Sequence, residues 1–179
     1  MKRWLKWIGA GLALLISAPI LFVLSGYLLP SEVVLETDRR VDVPPEAVYE
    51  LVSSYDGLQK WWGQANIAMG ESFDVMHLDG PKEGAGMHVG FGRDGQVLES
   101  WTYTEADAPN RVAMDVDFTI FISHRSLELK PDGDGTHIYW KEVAQVDGPH
   151  WRWMLKFFTK SAIENRQIVM GATEEASRQ

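Results

Sequence analysis

The chain has 179 residues, no cysteine, and 25 Asp and Glu against 17 Lys and Arg, which give a formal net charge of −8. The first 30 residues hold three of the basic side chains and no acidic ones, so residues 31–179 carry 14 − 25 = −11. Such an acidic domain is repelled by phosphate backbones, which argues against nucleic-acid binding, and the missing thiols exclude disulfides and cysteine catalysis.

The first predicted element is a transmembrane helix. Residues Trp7–Leu29 form an uninterrupted uncharged and mostly apolar stretch. At a helical rise of about 1.5 Å per residue this stretch reaches about 34 Å, enough to cross a hydrocarbon core of about 30 Å. A cleaved secretory signal is the alternative, but its apolar part has only about 7–15 residues, and no clean Ala-x-Ala site follows here. An uncleaved anchor is therefore the favoured interpretation.

The charges beside this stretch predict its orientation. Lys2, Arg3 and Lys6 precede it, whereas the first charged residues after it are acidic. Because positive charge stays cytoplasmic, we expect the N-terminus inside and the following domain outside the plasma membrane, in the periplasm of a bacterium. The chain is thus divided into an anchor at residues 1–30 and one domain at residues 31–179.

The domain is predicted to be α+β. A β-branched run predicts a first strand, Pro45 suits the first turn of a helix, and Asp94-Gly95 is typical of a hairpin turn between later strands. Apolar residues at helical spacing after Pro149 predict a long terminal helix. The expected elements are a strand at 33–43, a helix from 45, a helical turn at 58–62, antiparallel strands at 87–93, 96–105, 112–122, 124–130 and 136–146, and the final helix from 149.

Three segments in this order resemble the START-like, or SRPBCC, superfamily, in particular its polyketide cyclase/dehydratase-type bacterial members. They are VDVPPEAVYELVSSYDGLQKWWGQ at 41–64, GAGMHVGFGRDGQVLESWTYTEADAPNRVAMDV at 84–116 and SLELKPDGDGTHIYWKEVAQV at 126–146. The resemblance implies a helix-grip fold, in which a curved antiparallel sheet wraps around a long C-terminal helix. It also implies a space between sheet and helix that takes hydrophobic ligands. An N-terminal anchor departs from the usual soluble member.

Large apolar side chains on alternate strand positions give the predicted sheet an apolar inner face. With the implied fold, this face lines a ligand cavity, and the alternative is a filled core. The expected ligand contacts are Val89, Phe91, Trp101, Tyr103, Met114, Val116, Ile138 and Trp140, with Phe158 from the last helix and Trp62 near the cavity mouth.

Glu99 and Glu142 interrupt this apolar face, and His124 falls where it can face the cavity. Burial raises the pKa of a carboxyl group, so either glutamate is a candidate general acid or base, as is His124. The simpler interpretation of each glutamate is an ion pair, with Arg93, Arg111 or Arg125 as the available partners.

These features predict a membrane-anchored protein that binds a hydrophobic small molecule, such as a lipid, an isoprenoid or a polyketide-like compound. An enzyme of the cyclase or dehydratase type and an interaction module with a filled core are the alternatives. None of the five histidines has a metal-ligand spacing such as HExxH, so no metal and no cofactor is expected. The sequence does not identify a protein partner.

Overall fold

The computed structural model describes the backbone of residues 2–178 and the side chains of residues 14–178. Within this part, the chain forms a seven-stranded antiparallel sheet and several helices. The helices are α1 (Lys2–Ser25), α2 (Pro45–Ser53), α3 (Tyr55–Met69) and α4 (Pro149–Ala176), with a 3-10 turn at Gly26–Leu28. The strands are β1 (Glu32–Val41), β2 (Asp74–Asp79), β3 (His88–Arg93), β4 (Gln96–Asp107), β5 (Arg111–Asp117), β6 (Ile122–Asp132) and β7 (Gly135–Gln145).

The order of the strands is β1-β7-β6-β5-β4-β3-β2, and every neighbouring pair is antiparallel. Consecutive strands from β2 to β7 are therefore adjacent. The first strand, β1, lies at the edge of the sheet and pairs with the last strand, β7. The long helix α4 packs against β1 and α3. This architecture agrees with the predicted α+β class and is consistent with a helix-grip fold.

Helix α3 is longer than the single turn predicted at 58–62. The Ser54 hydroxyl begins it by accepting a hydrogen bond of 3.0 Å from the Gly57 N–H. Gly70 ends it with a left-handed φ of 67°, a conformation that costs glycine little. This longer helix places Trp61 and Trp62 beneath the sheet, in the region where the sequence predicted a cavity.

Tryptophan side chains from α3 fill that region. Trp61 is buried, lies 6.2 Å from the Trp140 ring, and donates a hydrogen bond of 2.8 Å to the Val169 carbonyl of α4. The Trp62 ring lies 4.7 Å from Phe91 and 5.4 Å from Trp101. The inner face of the central strands is therefore covered by aromatic rings.

The residues predicted to line a cavity form the hydrophobic core together with Trp61, and their contact with a ligand stays a prediction. Each is at most 3% exposed, in agreement with the alternative of a filled core. They are Val89, Phe91, Trp101, Tyr103, Met114, Val116, Ile138 and Trp140, with Trp62 packed against them.

Helix α1 presents apolar side chains to the outside. Among the residues that the structure describes, no helix is long and apolar enough to cross a membrane. The predicted span Trp7–Leu29 includes residues 7–13, whose side chains lie outside this part, and the structure gives the predicted anchor no support. The exposed apolar residues are Leu14, Leu15, Ile16, Ile20, Leu21, Phe22, Val23, Leu24, Tyr27 and Leu28.

The end of α1 contacts the beginning of α4. The Phe22 and Trp153 rings stack with centroids 5.0 Å apart, and the Trp153 indole N–H donates to the Phe22 carbonyl at 3.1 Å. Gly26 allows a close approach of backbone, since a Cβ there would lie 2.1 Å from the Pro149 carbonyl oxygen. The exposed helix is thus attached beside the first turns of α4.

Candidate functional site: a groove beneath the terminal helix

A groove of about 170 Å³ lies between the first half of α4 and the sheet. Strands β1 and β7 form its floor, α4 forms one wall, and the turn between β5 and β6 forms the other. The lining residues are Val33, Leu35, Phe118, Phe121, Glu142, Ala144, Leu155, Phe158, Thr159, Ala162 and Arg166.

The groove exists because α4 packs into the hydrophobic core at one end only. Its buried residues all lie between Val169 and Ala176. Toward the beginning of the helix, two of the residues that line the groove are small, Ala162 of α4 and Ala144 of β7. Two short side chains on facing elements leave space that larger residues would fill. The groove is therefore displaced toward β1 relative to the cavity that the sequence predicted.

Apolar groups make up most of the groove wall. The Phe118 and Phe121 rings of the β5–β6 turn lie 4.8 Å apart on one side. Phe158 stands on the α4 side and is 60% exposed, so the groove opens toward the surface there. Phe158 is the member of the predicted ligand set that lines this groove.

The inner end of the groove is charged. Glu142 on β7 is buried and accepts hydrogen bonds from the Ser123 hydroxyl at 2.9 Å, from Arg125 Nε at 3.1 Å and from Arg166 Nη2 at 3.0 Å. Arg125 comes from β6 and Arg166 from α4, so the carboxylate joins three elements. Such charge-assisted bonds are stronger than neutral ones and hold the side chains in place.

The pKa of Glu142 is lowered. Burial by itself would raise it, but the charges of Arg125 and Arg166 and the hydrogen bonds outweigh that effect and bring the pKa from 4.5 to about 2. The expectation of a raised pKa is therefore wrong, and the ion-pair interpretation with Arg125 is confirmed for this residue. At neutral pH Glu142 is a carboxylate without a proton to donate.

Arg125 is held between two indole rings. Its guanidinium carbon lies 4.6 Å from the Trp101 ring centre and 5.1 Å from the Trp140 ring centre, and its side chain is 1% exposed. Glu99 approaches it at 3.7 Å and also accepts a hydrogen bond from the Trp101 indole N–H. Glu99 is thus a second ion-pair partner of Arg125, as the simpler interpretation expected.

The other two arginines considered as partners lie elsewhere. Arg93 pairs with Glu71 at 2.7 Å, and Arg111 lies 3.3 Å from Glu105. Both pairs are at the surface.

His124 does not face the interior, so its predicted position is wrong. Its side chain is 67% exposed and its Nδ1 lies 2.6 Å from the Asp115 carboxylate on the neighbouring strand. Alternation along β6 explains the difference, because Ser123 and Arg125 occupy the inward positions on either side. The structure thus brings Glu142 and Glu99 to Arg125 and leaves His124 on the opposite face.

Comparison with known proteins agrees with this architecture. The sequence profile of the family described as polyketide cyclase / dehydrase and lipid transport matches residues 32–167, which is most of the chain. The chain belongs to this family. The matched range begins at β1 and ends just after Arg166, so it contains every residue of the groove.

Solved structures of the same fold are distant in sequence. Protein CV1439 from Chromobacterium violaceum is 16% identical, with 82% of this chain and 97% of that chain covered and a TM-score of 0.59. TTHA0849 from Thermus thermophilus is 19% identical, with the same coverage and a TM-score of 0.60. At these identities the likeness concerns the fold alone. No curated protein has a significantly similar sequence.

In this member of the polyketide cyclase/dehydrase family, Arg166 lines the groove but was not recognised from the sequence. The available signal was its position on α4, since it follows Leu155 and Ala162 by eleven and four residues and so shares their helical face. Thr159 lies on the same face, and its hydroxyl donates to the Leu155 carbonyl at 2.8 Å. Among the side chains that the structure describes, no group of three or more acidic or His residues is arranged to hold a metal ion.

Proposed function

We propose that this member of the polyketide cyclase/dehydrase and lipid transport family binds a hydrophobic small molecule in the groove beneath α4. The observation that carries the proposal is the apolar groove itself, which opens at Phe158 and ends at the Arg166–Glu142 pair. Ligand pockets combine apolar walls with a few polar groups that orient the ligand, and this groove has both features.

The size of the groove limits the ligand. Typical pockets for drug-sized molecules have volumes of about 300–1,000 Å³, whereas this groove has about 170 Å³. A slender chain therefore fits better than a fused ring system. Each methylene removed from water contributes about 0.8 kcal/mol, so six buried methylenes supply about 5 kcal/mol. The charged end adds orientation to that binding energy.

We further propose that binding takes place beside a membrane. The apolar side chains of α1 from Leu14 to Leu28 are exposed and would be covered by lipid. Trp153 and Phe157 of α4 stack with 5.6 Å between ring centres next to this surface, and aromatic rings favour the headgroup level. Phe157 directly precedes Phe158 at the opening of the groove, so an apolar ligand would have a short path from lipid. Flanking charge supports a cytoplasmic N-terminus and an extracytoplasmic domain.

The two alternatives have less support. An acid–base enzyme that uses Glu142 needs a carboxyl group able to exchange its proton near neutral pH, and the low pKa of this residue opposes that role. An interaction module with a filled core agrees with the packing around Trp101 and Trp140, but this interpretation assigns no role to the groove.

The experiment uses variants that block or spare the groove. Native mass spectrometry of the detergent-purified full chain, followed by lipid extraction, measures a copurified ligand. Ala162→Trp places an indole in the groove and should abolish the bound mass. Ser161→Trp places the same ring on the exposed side of α4 and should preserve it. Equal loading of both variants, with thermal unfolding showing that both are folded, would reject the groove as the binding site.

A further inference from the structure

Arg166 has hydrogen-bonding capacity that its protein neighbours do not use. Its Nη2 donates to Glu142 at 3.0 Å, but its Nε–H is buried and has no acceptor among the described residues. The Trp140 indole N–H is also buried without an acceptor in the same part of the chain. The Arg166 guanidinium lies 5.7 Å from the Trp140 ring. Buried donors are normally satisfied, so two unpaired donors in one region indicate a missing acceptor.

Two carboxylates and two arginines meet at this end of the groove, and the carboxylates are shared unevenly between the arginines. A single carboxylate, Glu142, serves both Arg125 and Arg166. The second glutamate, Glu99, lies 3.7 Å from Arg125 and partly neutralises the charge of that arginine. Arg166 is therefore the less neutralised of the two cations, and it is the one that lines the groove.

The remaining groove has the shape of a chain-binding slot. Leu155, Ala162 and Arg166 follow one face of α4, and a rise of about 1.5 Å per residue separates the first from the last by about 16 Å. Between them the wall is apolar apart from Thr159, whose hydroxyl already donates to a carbonyl of its own helix. The Arg166–Glu142 pair thus lies at one end of a long apolar surface.

We propose that the groove takes a single-chain amphiphile with an anionic head group, and that the acid oxygens accept a hydrogen bond from Arg166 Nε. The chain of the ligand lies along Ala162 and Leu155 toward the opening at Phe158. A carboxylate and a phosphate monoester supply the same chemistry at Arg166. This inference rests on the proposed function and specifies the ligand class for the same groove.

The test measures binding of three twelve-carbon probes to the delipidated full chain by titration calorimetry: dodecanoate, dodecyl phosphate and dodecanol. A charge-assisted hydrogen bond should make at least one of the two anions roughly 10- to 100-fold tighter than the alcohol. The Arg166→Gln variant should lose this preference while its affinity for dodecanol stays the same. Comparison of the two anions shows which acid group the site prefers.

Lys160→Gln is the matched control, since Lys160 is an exposed cation on the same helix and its side chain is 90% exposed. This variant should keep the preference for anions. Loss of the preference in Lys160→Gln, or its survival in Arg166→Gln, would overturn the assignment to Arg166.

A second measurement does not depend on the variant folding. Dodecanoate labelled with ¹³C at the carboxyl group should keep an ionised head group in the bound state at pH values where the free acid is protonated. A bound carboxyl that titrates like the free one, or equal affinities for dodecanol and both anions, overturns the anionic head group and leaves the proposed function intact. If none of the three probes binds, the proposed function itself fails.

Discussion

Arg166 on α4 and Glu142 on β7 form a hydrogen-bonded ion pair of 3.0 Å that joins the terminal helix to the sheet. The pair lies at the inner end of the groove, where α4 begins to separate from β7. Its carboxylate is shared with Arg125, which is buried between two tryptophan rings. The stability of the sheet and the shape of the groove therefore depend on the same carboxylate.

Replacing Glu142 with glutamine should destabilise the fold. The variant leaves the buried Arg125 without its main counter-charge, and removal of one partner from a buried ion pair costs about 3–5 kcal/mol. Urea unfolding followed by circular dichroism measures the change. Glu36→Gln is the control, because Glu36 pairs with Lys141 at the surface and exposed pairs contribute little. Similar losses in both variants would contradict the structural role of Glu142.

The stability of the protein should also depend on pH through Glu142. The pKa of this residue is about 2 in the folded state, below the ordinary value of 4.5, so the unfolded chain binds the proton more readily. Its contribution is complete above pH 4.5 and is lost as the pH falls toward 2. A shift of this size corresponds to roughly 3 kcal/mol in the free energy of unfolding.

Urea unfolding at several pH values measures this dependence. The difference in unfolding free energy between the wild type and Glu142→Gln should shrink as the pH falls across that interval. A difference that stays constant would mean that Glu142 does not titrate with a lowered pKa.

Truncation of Trp61 should have a large effect on stability. Trp61→Ala removes a buried indole and the hydrogen bond to the Val169 carbonyl, and comparable core truncations cost about 3–5 kcal/mol. Trp61→Phe keeps most of the apolar contact and should cost less. Thermal unfolding measures both variants. Trp153→Ala is the comparison at a half-buried position, and we expect a smaller loss there.

Replacing Gly26 with alanine should loosen the attachment of α1 to α4. A Cβ at this position would lie 2.1 Å from the Pro149 carbonyl oxygen, so the backbone must move. Hydrogen exchange measured by mass spectrometry should become faster at the first turn of α4. Gly63→Ala is the control, because no atom lies within 4 Å of its added Cβ. Alanine in that helix should stabilise the protein by up to about 1 kcal/mol.

The alternation along β7 was predicted correctly. Trp140, Glu142 and Ala144 share the inward face of β7 as the sequence indicated. On β4, strict alternation would place Val97 on the face of Trp101, but Val97 is 42% exposed. The register of β3 and β4 shifts between Glu99 and Val97, and such a bulge turns the following side chain to the other face.

Trp62 was predicted to lie near a cavity mouth, but its position was decided by the length of α3. A short turn would have left Trp62 at a cavity mouth. The longer helix instead brings Trp62 to within 4.7 Å of Phe91 and Trp61 to the backbone of α4. The side chains expected to surround a ligand consequently surround these two indoles.

The sequence by itself determined the α+β architecture, the order of the helices and strands other than β2, and the inward position of Glu142, because alternation and turn residues act over a few neighbouring positions. Only the tertiary structure decided where space remains and which charges meet. Arg166 and Glu142 are 24 residues apart and lie on different elements, so their contact depends on how α4 crosses the sheet. The groove depends on the same crossing, since its lining residues come from β1, β7, α4 and the turn between β5 and β6.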